Sequence, residues 1–187
     1  MDKAEIRQTI LRKRSALSLI DHNEKDTRIQ KELEFLSIFR KAKNILIYFS
    51  FNSEVDTHQL IIKWMKKKNF FLPRLIPGDT FLAAPISSLE ELEINSFGIH
   101  EPKAGTARDE ANQPLDLIIM PGVAFDLTGS RIGMGKGYYD HFLADKKSVP
   151  RIGLAYSEQV LAHVPRNTYD VPVDMIITEK GVIRCTS

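Results

Sequence analysis

The sequence is poor in the features that mark several large protein classes. It has one cysteine among 187 residues, Cys185, which excludes an internal disulfide and is typical of a reducing compartment. No apolar run approaches the roughly 18 residues that a membrane span requires, and the charged segment 1–14 lacks the apolar stretch of a secretory signal. We therefore expect a cytoplasmic protein that does not cross a membrane.

The charge balance and the histidines exclude further classes. A formal net charge of +2 gives no electrostatic signature of a general nucleic-acid binder, and the run 66–68 of three lysines is predicted to be the solvated end of a helix. The five histidines form no H-x-H or H-E-x-x-H pair, which argues against a zinc site. No G-x-S-x-G motif is present and Cys185 has no local base, so a side-chain nucleophile is not expected.

Helical and strand-like segments alternate along the chain. Apolar spacing of helical period predicts helices over 4–16, 24–39 and 58–67, and a further helix that begins near Gly137. Short buried runs predict strands over 44–50, 70–72, 81–86, 115–120, 152–155, 175–177 and 182–183, with Pro73 ending the second of them. This order is typical of a three-layer α/β/α sheet. No repeat or linker interrupts it, so residues 1–187 are predicted to form a single domain.

The segment 129–140 is rich in groups that bind anions. Three glycines stand in it at every second position: Gly133, Gly135 and Gly137. Their missing Cβ atoms let backbone N–H groups approach a phosphate. Arg131 and Lys136 add positive charge, and Asp140 can face a metal ion that accompanies a polyphosphate. The segment therefore predicts a phosphate-binding loop between a strand and a helix.

Two better-known phosphate motifs do not fit this segment. A Walker A loop has four residues between its first glycine and a Gly-Lys pair, followed by Ser or Thr, whereas five residues separate Gly129 from Gly135 here and Gly137 follows Lys136. The G-x-G-x-G spacing also differs from the G-x-G-x-x-G dinucleotide fingerprint. The remaining alternative is a glycine-rich turn without a ligand, which would not need the neighbouring cations and aromatic residues.

The first helix is predicted to turn cations toward the body of the protein. On a helical wheel Lys3, Arg7 and Arg14 lie close together, between apolar groups that contain Ile6 and Leu11. A buried cation needs a partner. An internal carboxylate and an anionic ligand, such as a phosphate held by the glycine loop, both meet this need, and the wheel does not choose between them.

Polar groups also follow the predicted strand 44–50. Glu54 can accept hydrogen bonds from a donor-rich ring, with Phe49 or Phe51 packed on the face of that ring. The alternative is that Glu54 is merely exposed, next to a helix cap formed by Asp56 or Thr57. The residues alone favour this alternative.

Two aspartates precede the predicted strand 175–177. Asp170 or Asp174 can join Asp140 at a divalent ion, because Mg²⁺ binds few protein carboxylates and completes its shell with phosphate oxygens and water. A capping or surface role for either carboxylate is an equally good interpretation.

Taken together, these motifs resemble the 5-formyltetrahydrofolate cyclo-ligases, also called methenyltetrahydrofolate synthetases. The resemblance runs nearly end to end and is carried, in order, by Lys3…Arg7, Tyr48-x-Ser50, Glu54-Val-Asp-Thr57, Pro73-Arg74, Gly98-Ile-x-Glu-Pro102, Pro121-Gly-Val-Ala-Phe-Asp126, Arg131-Ile-Gly-x-Gly-Lys-Gly-Tyr-Tyr-Asp140, Gly153-Leu-Ala, Gln159, Asp170 and Asp174. The motif over 131–140 is the most specific of these. Arg14 is the one cation of the first helix whose counterpart in the family is not placed.

The resemblance implies an enzyme with a NagB/RpiA/CoA-transferase-like fold. Such an enzyme converts 5-formyltetrahydrofolate to 5,10-methenyltetrahydrofolate with ATP and Mg²⁺, and it releases ADP and phosphate through a phosphorylated imidate. We expect a monomer that acts on small molecules. The alternative is a relative of the same fold that binds folate or nucleotide without catalysis.

The resemblance also implies roles for individual residues. The implied ATP-binding residues are Lys3, Arg7, Arg131, Ile132, Gly133, Met134, Gly135, Lys136, Gly137, Tyr138 and Tyr139. The implied folate contacts are Phe49, Glu54 and Tyr139, and the implied Mg²⁺ ligands are Asp140 and Asp170. Lys136 and Arg131 are predicted to act in catalysis, because phosphoryl transfer depends on positioning and charge neutralisation.

Overall fold

The computed structural model describes residues 1–78, 80–105, 114–146 and 148–186. The helices are α1 (Lys3–Ser15), α2 (Leu19–Phe35), α3 (Ser37–Lys41), α4 (His58–Trp64) and α5 (Tyr138–Leu143). The strands are β1 (Asn44–Ile47), β2 (Asn69–Ile76), β3 (Thr80–Ile86), β4 (Leu92–Ile94), β5 (His100–Pro102), β6 (Leu117–Met120), β7 (Ala124–Asp126), β8 (Arg131–Ile132), β9 (Arg151–Leu154), β10 (Val160–Leu161), β11 (Met175–Thr178) and β12 (Gly181–Arg184).

A seven-stranded sheet of order β12-β11-β9-β6-β1-β2-β3 forms the centre of the fold. The five inner strands are parallel, whereas β3 and β12 pair antiparallel with their neighbours at the two edges. The inner strands are almost wholly apolar because both faces of the sheet are covered. Their parallel direction brings the segments after β1, β6 and β9 to the same edge.

Helices cover both faces of this sheet. One face carries α2, α3 and α4, whose buried side chains contact the sheet: Ile29, Leu33, Phe39, Leu60 and Ile61. The other face carries α5 and a small sheet of order β10-β7-β8, with a core that contains Leu46, Phe125 and Leu143. α1 packs on the small sheet through Ile6 and Ile10. The predicted three-layer α/β class is confirmed.

The helix predicted over 24–39 is in fact two helices. α2 begins earlier, at Leu19, because the Ser18 side chain caps it by accepting a hydrogen bond from the backbone N–H of Asp21. α2 ends at Phe35, and Leu36 has an extended backbone (ψ 130°) before α3 starts. The other predicted helices and strands are present, with ends that differ by a few residues.

Pro73 does not end the second predicted strand, which was a wrong prediction. β2 continues through Pro73 to Ile76. Its parallel pairing with β1 covers Asn69 to Phe71, and Pro73 lies opposite Ala83 where β3 is the partner. A proline is tolerated where one side of the strand does not need its missing N–H.

Lys68 is not solvated, contrary to the prediction for the lysine run. The residue is 6% exposed, and its ammonium group donates to the carbonyl oxygens of Phe39 and Ala42, each at 2.7 Å. It therefore caps the carboxyl end of α3, where unpaired carbonyl groups favour a cation. Lys66 and Lys67 are exposed, as predicted.

Candidate active site

The predicted site residues collect at the edge where β1 and β6 end. Phe49 and Glu54 follow β1. The Arg131 guanidinium reaches the residue after β6, where its Nη1 lies 3.5 Å from the carbonyl oxygen of Pro121. Open α/β sheets bind ligands outside the carboxyl ends of their strands, so this edge is the expected place for a site.

The glycine loop connects β8 to α5 and lies against two arginines. Gly135 (φ 103°) and Gly137 (φ 71°) have left-handed backbone conformations that other residues rarely adopt. A Cβ on Gly133 would lie 2.8 Å from Nη1 of Arg131, and one on Gly135 would lie 3.4 Å from Nη2 of Arg7. The backbone conformation therefore favours glycine at positions 135 and 137, and the missing side chain of Gly133 leaves room for the Arg131 guanidinium.

The predicted ATP-binding residues differ in how accessible they are. Met134, Gly135 and Lys136 are exposed, so their backbone groups and the Lys136 ammonium group face solvent. Ile132 is buried, and its carbonyl oxygen accepts the backbone N–H of Val123 at 2.7 Å. A ligand at this loop would therefore meet residues 133–137 rather than the side chain of Ile132.

The cation row of α1 faces inward, and its members have different partners. Lys3 forms an ion pair with Asp170, so it has an internal carboxylate as a partner. Arg7 donates from Nε to the carbonyl oxygen of Gly133 at 2.9 Å, in the glycine loop. Arg14 is buried and binds uncharged groups. The row thus links α1 to the loop and to the segment before β11.

Arg131 and Asp140 form a second ion pair beside the loop. Nη2 of Arg131 lies 3.2 Å from Oδ1 of Asp140, which also accepts the backbone N–H of Val171 at 3.0 Å. Arg131 is 8% exposed, and its Nε is buried without a hydrogen-bond partner among the described residues. An unpaired buried donor is costly, so this atom is a group that a bound ligand or water can satisfy.

Tyr139 has a second unpaired polar atom in the same region. Its hydroxyl oxygen is buried and lacks a hydrogen-bond partner within the described residues, while its ring lies 5.7 Å from Cζ of Arg131. Burial raises the pKa of Tyr139, the charge of Glu54 raises it further, and Arg131 opposes both. The hydroxyl is therefore protonated near neutral pH and can donate a hydrogen bond.

Phe49 and Glu54 lie in the loop between β1 and α4. The Phe49 ring stacks on His58 with centroids 3.9 Å apart and an interplanar angle of 24°. Oε2 of Glu54 accepts the backbone N–H of Phe51 at 3.0 Å. Burial raises the pKa of Glu54, while the bond from Phe51 and the charge of Arg14 lower it. Glu54 is half-buried, so the interpretation of a merely exposed carboxylate was wrong.

The capping part of that alternative holds for Asp56 but not for Thr57. The Asp56 carboxylate accepts the backbone N–H groups of His58 at 3.2 Å and Gln59 at 3.3 Å, in the first turn of α4. The Thr57 side chain makes no capping bond and instead donates to the carbonyl oxygen of Tyr48 at 2.7 Å. These bonds fix the segment that presents Phe49.

The structure separates Asp170 from Asp174. Burial alone would raise the pKa of Asp170, but the backbone N–H of Asn167 and the charge of Lys3 hold it below its ordinary value. Asp174 instead binds Arg151 through contacts at 2.7, 2.9 and 3.2 Å, where β9 and β11 begin. It therefore lies at the opposite edge of the sheet from the glycine loop. No cluster of three or more His, Cys, Asp or Glu suited to a metal occurs in the part of the chain that the structure describes.

Some contacts at this edge escaped the sequence reasoning. The His58 ring stacks on Phe49. The sequence indicates only that His58 begins the helix that follows the strand before Phe49. Gln159 donates to the carbonyl oxygens of Gly122 at 2.8 Å and Val123 at 3.0 Å, which fixes the segment after β6. A glutamine 37 residues distant from its partner carries no local pattern that would reveal this bond.

Comparisons with known proteins agree with this architecture. The model of the 5-formyltetrahydrofolate cyclo-ligase family matches residues 1–179. The 5-formyltetrahydrofolate cyclo-ligase of Haemophilus influenzae is 35% identical over 176 residues, which cover 91% of this chain and 94% of that protein. A probable 5-formyltetrahydrofolate cyclo-ligase of Schizosaccharomyces pombe is 33% identical over 185 residues, covering 89% of this chain and 90% of the relative.

Solved structures show the same likeness. The 5,10-methenyltetrahydrofolate synthetase of Aquifex aeolicus superposes with a TM-score of 0.84 at 36% identity, covering 100% of this chain and 94% of that one. The 5,10-methenyltetrahydrofolate synthetase of Mycoplasma pneumoniae gives a TM-score of 0.72 at 27% identity, covering 96% of this chain and 99% of that one. The fold, the match to the family and these relatives define an enzyme, a ligase that acts on folate in one-carbon metabolism. The chain belongs to the 5-formyltetrahydrofolate cyclo-ligase family.

No helix in the described residues is long and apolar enough to cross a membrane.

Proposed function

We propose that the chain converts 5-formyltetrahydrofolate to 5,10-methenyltetrahydrofolate and consumes ATP in a Mg²⁺-dependent reaction. The observation that carries this proposal is that a glycine loop with two arginines and a half-buried carboxylate lie at the same edge of the sheet. A glycine loop with Arg7 and Arg131 against it suits a polyphosphate. Glu54, a half-buried carboxylate without an ion pair among the described residues, suits the N–H donors of a folate ring.

In this proposal the triphosphate of ATP binds along residues 131–139. The exposed backbone groups of the loop bind phosphate oxygens, and Lys3, Arg7 and Lys136 neutralise their charge. Lys3 is paired with Asp170 and Arg131 with Asp140. Phosphates would therefore compete with these carboxylates for the cations.

Asp140 and Asp170 are the groups that would hold Mg²⁺. The donor set fits, because Mg²⁺ commonly takes one or two protein carboxylates together with phosphate oxygens and water. Each carboxylate forms an ion pair with a cation, Asp170 with Lys3 and Asp140 with Arg131, so each carboxylate lies beside a group that can also bind phosphate. The ion would supply charge neutralisation at the β- and γ-phosphates.

The chemistry needs alignment more than a reactive side chain. The formyl oxygen attacks the γ-phosphorus, and the bond from that phosphorus to the bridging oxygen of ADP breaks. N10 then attacks the formyl carbon and loses its proton, and phosphate leaves with the former formyl oxygen. The amide-like formyl oxygen is a poor nucleophile, so the enzyme must align it with the phosphorus. Lys136 and Arg131 would stabilise the transferred group, and Phe49, Glu54 and Tyr139 would hold the folate.

The experiment that tests this function follows the methenyl product by its near-ultraviolet absorbance. The protein is mixed with 5-formyltetrahydrofolate, ATP and Mg²⁺, and controls omit ATP or the metal. We expect product formation that requires both. Substrate labelled with heavy oxygen in the formyl group should transfer the label to the released phosphate. No product, with ATP and folate still bound by calorimetry, would show a non-catalytic binder instead.

Three further predictions from the sequence belong with this proposal. A single domain over residues 1–187, a monomeric state and a cytoplasmic location all suit an enzyme that acts on two small molecules. Size-exclusion chromatography with light scattering measures the oligomeric state, and a stable dimer would contradict the prediction. Limited proteolysis that releases one stable fragment would contradict a single domain.

A further inference from the structure

Arg14 is a buried cation whose hydrogen bonds go to uncharged groups. The residue is 6% exposed, and none of the ion pairs among the described residues involves it. Its Nε donates to Oγ of Ser53 at 2.9 Å, and its Nη1 donates to the carbonyl oxygen of Gly122 at 3.4 Å. A buried charge of this kind is costly unless an anion lies near enough to compensate it.

The carboxylate whose pKa the charge of Arg14 lowers is Glu54, the next residue after Ser53. Burial raises the pKa of Glu54, and the backbone bond from Phe51 and the positive charge of Arg14 lower it. If the charge of Arg14 were removed, one hydrogen bond from a neutral group would be left to oppose burial. The carboxyl group would then take up a proton closer to neutral pH.

The other titratable groups around Glu54 in the described chain are tyrosines. Tyr48 lies just after β1 and Tyr139 lies on α5; burial raises the pKa of each, and the charge of Glu54 raises it further. Both side chains are therefore neutral near pH 7 and do not compensate a carboxylate. Arg131 acts on Tyr139 and is itself paired with Asp140. Among the described residues, Arg14 is thus the cation whose charge lowers the pKa of Glu54.

We propose that Arg14 is a positioning residue of the folate site, which anchors the Glu54 segment through its hydrogen bond to Ser53 and supplies a buried positive charge to that segment. This inference rests on the proposed function, in which Glu54 accepts hydrogen bonds from the N–H groups of the folate ring. An ionised carboxylate only accepts hydrogen bonds. A protonated carboxyl group carries its own O–H donor, which would face an N–H donor of the folate ring. Arg14 therefore acts on the substrate through Glu54.

The test compares the pH dependence of KM for both substrates in four proteins: wild type, R14Q, R14K and the control R12Q. Arg12 is an exposed arginine of the same helix, so R12Q should behave as wild type. In R14Q, KM for 5-formyltetrahydrofolate should rise more steeply than in wild type as the pH falls from about 8 to about 6, because a carboxyl group without a nearby positive charge takes up a proton at a higher pH. KM for ATP should stay unchanged, and R14K should restore most of the wild-type profile.

The variant E54Q separates the charge effect from a general disturbance. It removes the group that titrates, so R14Q should add no further pH dependence to the folate KM of E54Q. An R14Q profile parallel to that of wild type would overturn the proposal. A rise in KM for ATP in R14Q would overturn it as well, because Arg14 would then contact the nucleotide.

Two outcomes need a second measurement. If R14Q fails to fold, wild type and E54Q still test the proposal. A folate KM that rises toward pH 6 in wild type but not in E54Q would show that Glu54 takes up a proton although Arg14 is present, which would overturn the proposal. If wild type forms no methenyl product, the proposed function fails by itself. The dissociation constant of 5-formyltetrahydrofolate from calorimetry then replaces KM in the same set of proteins, with the same expected dependence on pH.

Discussion

Lys136 is exposed in the middle of the glycine loop, between two glycines with left-handed backbones. Its long side chain can follow a phosphoryl group without disturbing the core. We expect Lys136→Ala to lower kcat by about a hundredfold, the usual cost of losing one group that stabilises the charge of a transition state. Steady-state kinetics measure this change, and the melting temperature should stay the same.

The control for Lys136→Ala is Lys31→Ala, which removes an exposed lysine of α2. It should leave both kcat and stability unchanged. An unaltered kcat in Lys136→Ala would remove this residue from the proposed mechanism.

The role of Asp140 as a metal ligand can be tested with Asp174 as the control. From the sequence alone, Asp170 and Asp174 were equally good candidates for the second metal ligand. Asp140→Asn keeps an oxygen for Arg131 and Val171 but loses the negative charge. The Mg²⁺ concentration for half-maximal rate should rise about tenfold or more, because Mg²⁺ binds carboxylates far better than amides. A titration of the rate with Mg²⁺ measures it. Asp174→Asn, at the opposite edge with Arg151, should leave that titration unchanged.

At the scale of elements, the glycine loop can be tested with a matched glycine from another turn, Gly78 between β2 and β3. Gly135 (φ 103°) and Gly78 (φ 98°) have similar left-handed backbones, but a Cβ on Gly78 would meet nothing within 4 Å. Each change to alanine should cost about 1 kcal/mol of unfolding free energy from backbone strain. Only Gly135→Ala should also raise KM for ATP, by about tenfold, because relaxation of the strained backbone would move the N–H groups of the glycine loop and small displacements at a binding site are costly.

Urea unfolding and steady-state kinetics together measure both effects in the two glycine variants. Equal KM values for ATP in Gly135→Ala and Gly78→Ala would contradict a phosphate site at this loop.

Local spacing made some of these elements predictable. The glycine loop, the inward row of α1 and the helix that begins after Gly137 all depend on residues within a few helical turns of each other. The partners of the row were not predictable from the residues, because Lys3 lies 167 positions from Asp170 and Arg7 lies 126 positions from Gly133. The break at Leu36 was missed because apolar residues continue the helical period across it.

At the scale of the whole molecule, Asp126 holds several segments of the small sheet together. The residue is 2% exposed and accepts hydrogen bonds from Thr128, Ser130 and Val164. Burial alone would raise the pKa of Asp126, but these bonds outweigh it and hold the pKa below the ordinary value of 3.8. The stability that the carboxylate contributes is therefore present above that value and is lost as the pH falls through the lower pKa of the folded state.

We expect Asp126→Asn to lower the unfolding free energy by about 2 kcal/mol at neutral pH, since a buried network loses its charged acceptor. The difference from wild type should shrink as the pH falls below the ordinary pKa. Urea unfolding over a pH series measures this. Asp145→Asn, whose side chain is 79% exposed, is the control and should change little at any pH. A difference that stays constant with pH would contradict the assigned role of the Asp126 charge.

The layer architecture could be predicted from the sequence because buried parallel strands read as short apolar runs. Apolar runs do not reveal where a strand has a partner on one side only, so the continuation of β2 through Pro73 was missed. A lysine run is ordinarily solvated, and only the packing of α3 against the end of α4 explains why Lys68 is buried. Both errors concern tertiary partners, which no local pattern encodes.

The contacts of α1 have a consequence for how activity arises during folding. Lys3 and Arg7 reach their partners across 167 and 126 positions, among the most distant contacts in the chain. Contacts of high sequence separation are slow to form, because a long loop must be closed before they contribute. During synthesis, the nucleotide site would therefore be assembled only after the segment with Asp170 has left the ribosome. Until then Lys3 lacks its carboxylate partner, and catalytic competence should be among the last properties the folding chain acquires.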